Sequence, residues 1–137
     1  MENLKEIVKS FYTECLTVNK TSNPSEKMEK LLAEDFKSIN AKETKGKAQL
    51  IGQIGFFWKL IPNLKWEPQE ILQDGNRVIV RSIFSGSPKG DFMGLTLDGT
   101  KSFNTTSIDI HTVENEQIKT VYHVEEWATA IQQLTVK

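Results

Sequence analysis

The chain has 137 residues, 38% apolar and 26% charged, with a formal net charge of −1. That length suits one domain, residues 1–137, able to bury a core without covalent staples, and the composition excludes a disordered chain. The balanced charge and the lack of any basic block argue against nucleic acid or an anionic membrane as partner, and no run approaches the roughly 18 apolar residues of a membrane span.

Leu4, Ile7, Val8, Phe11, Cys15 and Leu16 recur at three- and four-residue spacing, which predicts a helix from about Glu2 to Val18 with one apolar face. Cys15, the single cysteine, falls on that face and reads as a buried, inert thiol; no intrachain disulfide is possible. The first ten residues alternate charged and apolar side chains without the apolar run of a signal peptide, so the expected location is the cytoplasm. Asn23-Pro24-Ser25 breaks the chain, with Ser25 as cap of a short helix to about Leu32. Asp35–Ala41 reads as a short strand. After Gly46 a third helix carries Leu50, Ile51, Ile54, Phe57, Trp58 and Ile61, and Pro62-Asn63 ends it.

From Leu64 the pattern alternates. Leu64–Leu72 and Arg77–Ser85 are strands around an Asp74-Gly75-Asn76 turn, Ser85–Gly90 is a loop, and Asp98-Gly99 is a further hairpin signal. Ser102–Val113 and Gln117–Val124 form a hairpin across Asn115-Glu116, and Glu126–Leu134 closes the chain as a helix with Trp127, Ala130, Ile131 and Leu134 inward. Helices first and a strand meander after them predict an α+β domain of two layers, with an antiparallel sheet covered on one face.

The last hairpin gathers both histidines and three carboxylates: Asp109, His111, His123, Glu125 and Glu126. A two-residue turn at Asn115-Glu116 sets Val113 opposite Ile118, His111 opposite Thr120, Asp109 opposite Tyr122 and Ile108 opposite His123. Alternation then puts Ile108, Ile110, Val121, His123 and Glu125 on one face, and Asp109, His111, Thr120 and Tyr122 on the other. The first set is more apolar in mid-strand and is assigned to the pocket. Asp109 and His111 are assigned to an outer face that meets solvent or a second copy.

On that reading His123 is the leading catalytic candidate, an imidazole able to take and return a proton near neutral pH, with Glu125 or Glu126 fixing its tautomer or acting as the acid–base group itself. A core histidine held by one hydrogen bond is the plain structural reading, and Glu126 has one too, at the positive end of the last helix. Tyr12 and Tyr122 are the candidate donors to an oxyanion. Tyr12, Phe36, Trp58, Trp66, Phe84, Phe92 and Trp127 are candidate pocket walls, although aromatic residues at these periods also make ordinary core. Arg81 is expected to pair with a carboxylate such as Glu67. No second close-spaced ligand pair accompanies the histidines, so no metal is expected, and no phosphate loop or GxSxG serine is present.

Several strings in this order resemble the SnoaL-like polyketide cyclase family of the NTF2-like (cystatin-like) superfamily. They are Phe57-Trp58-Lys59-Leu60-Ile61-Pro62-Asn63-Leu64-Lys65-Trp66-Glu67, Gly75-Asn76-Arg77-Val78-Ile79-Val80-Arg81, Gly90-Asp91-Phe92-Met93-Gly94 ahead of Gly99, Ile108-Asp109-Ile110-His111, Glu116-Gln117-Ile118 and Gln132-Gln133-Leu134. The resemblance covers nearly the whole chain and is specific for fold rather than reaction. It implies a cone: a curved antiparallel sheet wrapped on N-terminal helices, with an apolar pocket between them and dimerisation through the sheet's outer face. It also implies ring closure by aldol chemistry, using a late aspartate as acid–base and no metal or organic cofactor. Many members end their last strand roughly as Glu-His-Trp-Asp before a further aspartate. Here Val121 takes the histidine position, His123 the first aspartate position and Glu126 the second.

Three functions follow as expectations. The first is cofactor-independent cyclisation, isomerisation or hydration of a small apolar carbonyl compound, with His123 as base. The second is a non-catalytic pocket for a small hydrophobic ligand. The third is a dimeric scaffold whose interior is filled.

Overall fold

Asn3 opens the first helix by accepting the Glu6 amide on its side chain, 3.3 Å away. The computed structural model describes residues 3–135, so the expected start of this helix at Glu2 lies outside the described residues. The α-helical part, α1, is Leu4–Ser10. Phe11–Cys15 then widens into a π-helical turn, closed by the Leu16 amide on the Phe11 carbonyl at 3.0 Å. The second helix, α2 (Pro24–Leu31), is capped by Asn23 and not by Ser25: the Asn23 side chain takes the Glu26 amide, and Pro24 occupies the first helical position, where its missing N–H costs nothing. The third helix, α3 (Lys47–Leu60), follows Gly46 as expected.

The described residues form eight strands: β1 (Leu32–Ile39), β2 (Thr44–Gly46), β3 (Lys65–Asp74), β4 (Arg77–Gly86), β5 (Lys89–Phe92), β6 (Leu95–Asp98), β7 (Phe103–Glu114) and β8 (Gln117–Glu125). The last helix, α4, is Trp127–Thr135. Six strands make one sheet in the order β2-β1-β8-β7-β4-β3, and β5-β6 is a separate hairpin. The sheet is mixed rather than purely antiparallel, because β1 returns beside β8 in parallel. Three short strands, β2, β5 and β6, were not expected from the sequence, and β5 begins inside the expected Ser85–Gly90 loop. The β5–β6 turn lies at Met93-Gly94, both at positive φ (51° and 84°), whereas Asp98 ends β6 and Gly99-Thr100 is a bend after the hairpin.

Register shifts interrupt β1–β8, β3–β4 and β7–β8, and such bulges bend a sheet. At β3 the shift falls beside Pro68, which has no N–H for a ladder bond and stands on an edge strand where that is tolerated. The same shift sets Arg81 opposite Glu70, so Arg81 pairs with Glu70 at 3.2 Å and not with Glu67. The sheet's concave face carries Trp66, Val78, Val80, Phe84, Phe103, Val113, Ile118 and Val121, all buried with Val8, Phe11, Tyr12 and Cys15 of the first helix. Phe84 stacks on Trp66 with centroids 4.1 Å apart and meets Trp127 edge-on at 5.0 Å, so α4 closes one end of the core. On the convex face Leu72, Ile79, Ile110, Tyr122 and Ile39 pair in turn across five strands, and Leu72 and Tyr122 stand about half exposed there. No helix among the described residues is long and apolar enough to cross a membrane.

Candidate functional site

The Asn115-Glu116 turn has both residues at positive φ (52° and 62°) and pairs Glu114 with Gln117 and Val113 with Ile118, as the turn length requires. A bulge follows at once. Lys119 has no partner, Thr112 meets Thr120, and every later pair is displaced by one: His111 faces Val121, and Asp109 faces His123. The expected register beyond Val113 is therefore corrected by one residue. Since side chains alternate, that step reverses the facing of β7. Asp109 and His111 lie on the inner face, 4% and 0% exposed, while Ile108 and Ile110 stand on the convex face, Ile108 50% exposed.

His123 and Glu125 sit two apart on β8 and both reach the interior. His123 Nδ1 lies 2.7 Å from Glu125 Oε2. Burial disfavours charge on this imidazole, but the Glu125 hydrogen bond and charge, with the nearby Asp109, outweigh it and hold the ring above its ordinary pKa. Across the strand, Asp109 has lost its water. Burial pushes its carboxyl up to about 7, opposed by the Tyr12 hydrogen bond, supported by the Glu125 charge and opposed again by His123. An aspartate and a histidine, both held above their ordinary pKa, thus face each other across one strand pair.

Tyr12 comes from the π-helical turn. Its hydroxyl donates to Asp109 Oδ2 at 2.5 Å and lies 2.6 Å from His111 Nε2. Burial drives the Tyr12 hydroxyl pKa well above its usual value and that of His111 down to about 3, so His111 is neutral. Asp109 Oδ1 and His111 Nδ1 are buried with no hydrogen-bond partner. Burial likewise pushes the Cys15 thiol up to about 12, in line with an inert role.

A cavity of about 400 Å3 opens over this group. Phe11 of the π-helical turn and Leu16 just after it, Leu50, Ile54, Phe56 and Phe57 of α3, Trp66, Phe92, Val121 and Trp127 wall it; Asp109, His123 and Glu125 provide acid–base groups, and Asn40, Lys42, Glu43 and Lys45 rim it. Of the residues expected from the sequence, His123, Glu125, Val121, Trp66, Phe92 and Trp127 line it. Tyr12, Phe36 and Phe84 are buried elsewhere in the core, and Trp58 donates its indole N–H to the Cys15 carbonyl at 2.8 Å instead. Ile108 and Ile110 line a second groove with Tyr122 and Val124, which adjoins the cavity at Asn40, Lys42, His123, Glu125 and Trp127. Glu126 is exposed. It accepts the Ala130 amide on its carbonyl and the Thr129 hydroxyl on its carboxylate, in the capping position of α4. Tyr122, on the convex face, does not line the cavity, and Tyr12 reaches it only through Asp109. Asp109 is the site residue that sequence reasoning set aside; its signal was the alternation Ser107-Asp109-His111 in step with Val113 and Phe103, two buried apolar positions.

The model of a family described as SnoaL-like polyketide cyclase matches residues 6–134. None of the curated proteins matches the chain in sequence. Among solved structures, IdmH of Streptomyces antibioticus, a candidate polyketide cyclase, is similar with a TM-score of 0.83 at 20% identity over 98% of this chain and 100% of its own. A candidate SnoaL-like polyketide cyclase from Jannaschia sp. CCS1 gives 0.84 at 15% identity over 98% and 92%. A Catenulispora acidiphila protein with a ketosteroid isomerase-like fold, solved in complex with trimethylamine, gives 0.75 at 16% identity over 96% and 94%. At these identities the structural likeness speaks to fold.

Proposed function

The chain belongs to the SnoaL-like polyketide cyclase family, and on that premise we propose that it catalyses cofactor-independent proton transfer on a small, largely apolar carbonyl compound, as in cyclisation or isomerisation. The observation that carries this reading is Asp109: a carboxyl in the wall of an aromatic cavity, with its pKa pushed up to about 7 by burial, directly across a strand pair from His123. A group poised near the working pH gives and takes protons best. Asp109 takes the role of base that the sequence suggested for His123. It removes a proton from the carbon beside the carbonyl, and the electron pair of that C–H bond flows to the oxygen. His123, kept protonated by Glu125, supplies an N–H to the developing oxyanion. The resulting enolate carbon either attacks a second carbonyl, closing a ring whose new alkoxide takes the proton back from Asp109, or is itself reprotonated by Asp109 at another carbon. Glu125 orients the imidazole; Glu126 takes no part.

A filled interior was the expectation of the scaffold reading, and the cavity favours a ligand instead. The apolar row on the convex face supports, as a further part of the proposal, a homodimer formed sheet to sheet, since such a stripe is costly to leave in water.

The test pairs ligand screening with mutation. Thermal stabilisation is measured against small apolar carbonyl compounds, polyketide-like aromatics, steroids and fatty acids, and turnover is assayed on each hit for wild type, Asp109→Asn and His123→Ala. Each variant is expected to keep binding and to lose roughly 100-fold or more in turnover. Full turnover in Asp109→Asn would overturn the acid–base reading; binding without turnover in wild type would leave a non-catalytic pocket.

A further inference from the structure

A buried cluster behind the cavity touches it through Asp109 alone, and it consists of three polar side chains. Tyr12 and His111 are both wholly enclosed, and Asp109 is 4% exposed. Apolar residues would fill this volume at less cost, since each enclosed polar group loses its hydration. The hydrogen-bond inventory constrains the arrangement. A tyrosine hydroxyl has one hydrogen. That hydrogen goes to Asp109 Oδ2 at 2.5 Å. The contact of 2.6 Å between Tyr12 Oη and His111 Nε2 then requires the hydrogen to come from the imidazole. With Asp109 ionised, His111 is thus the Nε2–H tautomer, which leaves its unpartnered Nδ1 as a lone pair. The chain reads His111 Nε2–H to Tyr12 Oη–H to Asp109 Oδ2. It ends with Oδ1 as the one carboxylate oxygen without a partner, on a residue that lines the cavity.

We propose that Tyr12 and His111 are positioning residues for Asp109: a two-link donor chain that ties down Oδ2 and reserves Oδ1 for the proton exchanged with the ligand. This rests on the acid–base reading of Asp109 given above. The π-helical turn is the device that delivers the first link, because Tyr12 lies within the widened Phe11–Cys15 segment and not on the regular α1 turn before it. His111 is the second link, two residues beyond Asp109 on the same face of β7. Each donated hydrogen bond favours the carboxylate form, and a donor that is itself a hydrogen-bond acceptor donates more strongly.

The remaining groups facing Asp109 are His123 and Glu125 of β8, one lowering and one raising its proton affinity, and both stay unchanged in the test. The carboxyl carbon of Asp109 is titrated by 13C NMR in aspartate-labelled protein, the signal being identified by its loss in Asp109→Asn. Tyr12→Phe removes only the hydroxyl and is expected to raise the Asp109 pKa by about one unit, the effect of losing one donor to a carboxylate. His111→Leu is expected to raise it by less than half of that, and His111→Gln, which retains a side-chain N–H, to restore it. A merely structural role would lower thermal stability in these variants while leaving the titration where it was. An unmoved Asp109 titration in folded Tyr12→Phe overturns the proposal. Because the readout is a proton equilibrium and not turnover, it separates from the test above. A catalytically silent Asp109→Asn would defeat the acid–base reading even with the titration shifted, and an unmoved titration would defeat the relay even with turnover lost.

Discussion

Along β7 the two faces of the sheet carry contrasting residues. Ser107, Asp109 and His111 point inward and are buried, while Ile108, between the first two, is half exposed on the convex side beside Tyr122 at 49% and Val124 at 70%. In an ordinary half-covered sheet the apolar set would be inside. The inversion is local. At both ends of the same strand, Phe103 and Val113 restore the usual order. A face that is apolar at its ends and ionisable in its middle is a core interrupted by a site, and the opposite face, apolar in its middle, is one to be covered.

The largest expected difference between the faces is in packing. Phe84 is fully buried between Trp66, Phe103 and Trp127. Phe84→Ala is expected to lower the unfolding free energy by about 3–5 kcal/mol, the loss typical of an enclosed aromatic. Tyr122→Ala on the convex face should cost a monomer less than about 1 kcal/mol. Urea unfolding of both variants at one pH checks this, and a comparable loss at Tyr122 would mean that the convex face is packed against something in the unfolding unit.

The next effect is electrostatic and confined to the inner face. Asp109 has its pKa raised from 3.8 to about 7. Its contribution to stability is therefore fully present below pH 3.8 and is lost as pH rises through 7. His111 is lowered from 6.5 to about 3, so its contribution is present above 6.5 and lost as pH falls through 3. Each change corresponds to at most about 5 kcal/mol, and in the wild type the two slopes oppose each other between about pH 4 and 6.5. Asp109→Asn should leave stability rising with pH across that window, whereas His111→Gln should leave it falling. Denaturant melts at pH 4, 5, 6 and 7 read the two signs directly. A flat profile in either variant would show that the remaining group is not held in the state its burial dictates.

Much of the fold was legible from sequence. The period change at Leu64 separated helices from strands, and the strings around Trp58, Arg77 and Asp91 placed the family. What the sequence concealed was the return of β1 beside β8, a long-range pairing with no local signature, and the bulge at Lys119. That bulge decides the site. His123, Glu125 and Val121 were placed on the cavity side because they share β8 with one another, whereas Ile108 and Ile110 were placed there through cross-strand register, and one unpaired residue displaced it. The rule that the apolar face lies inward then reinforced the error, since the convex row Leu72-Ile79-Ile110-Tyr122-Ile39 is the more apolar one in mid-sheet. Asp109 was missed for that reason, not because its residue type was unsuited to the chemistry.

The smallest effect on monomer stability tests the function of the convex face. Val124 is 70% exposed and lines the outer groove with Ile108 and Ile110. A carboxylate there meets water in a monomer, so Val124→Glu is expected to change the unfolding free energy of a single chain by no more than about 0.5 kcal/mol. In a sheet-to-sheet dimer the same charge would be buried without a partner, facing its own copy across a two-fold axis, where desolvation and like-charge repulsion act together. Sedimentation velocity should therefore show a dimer for wild type and a monomer for Val124→Glu at the same concentration, with cavity ligands still bound. A wild type that sediments as a monomer would remove the dimer from the proposal, and would leave the convex row as a surface for a different partner while leaving the acid–base face of the sheet untouched.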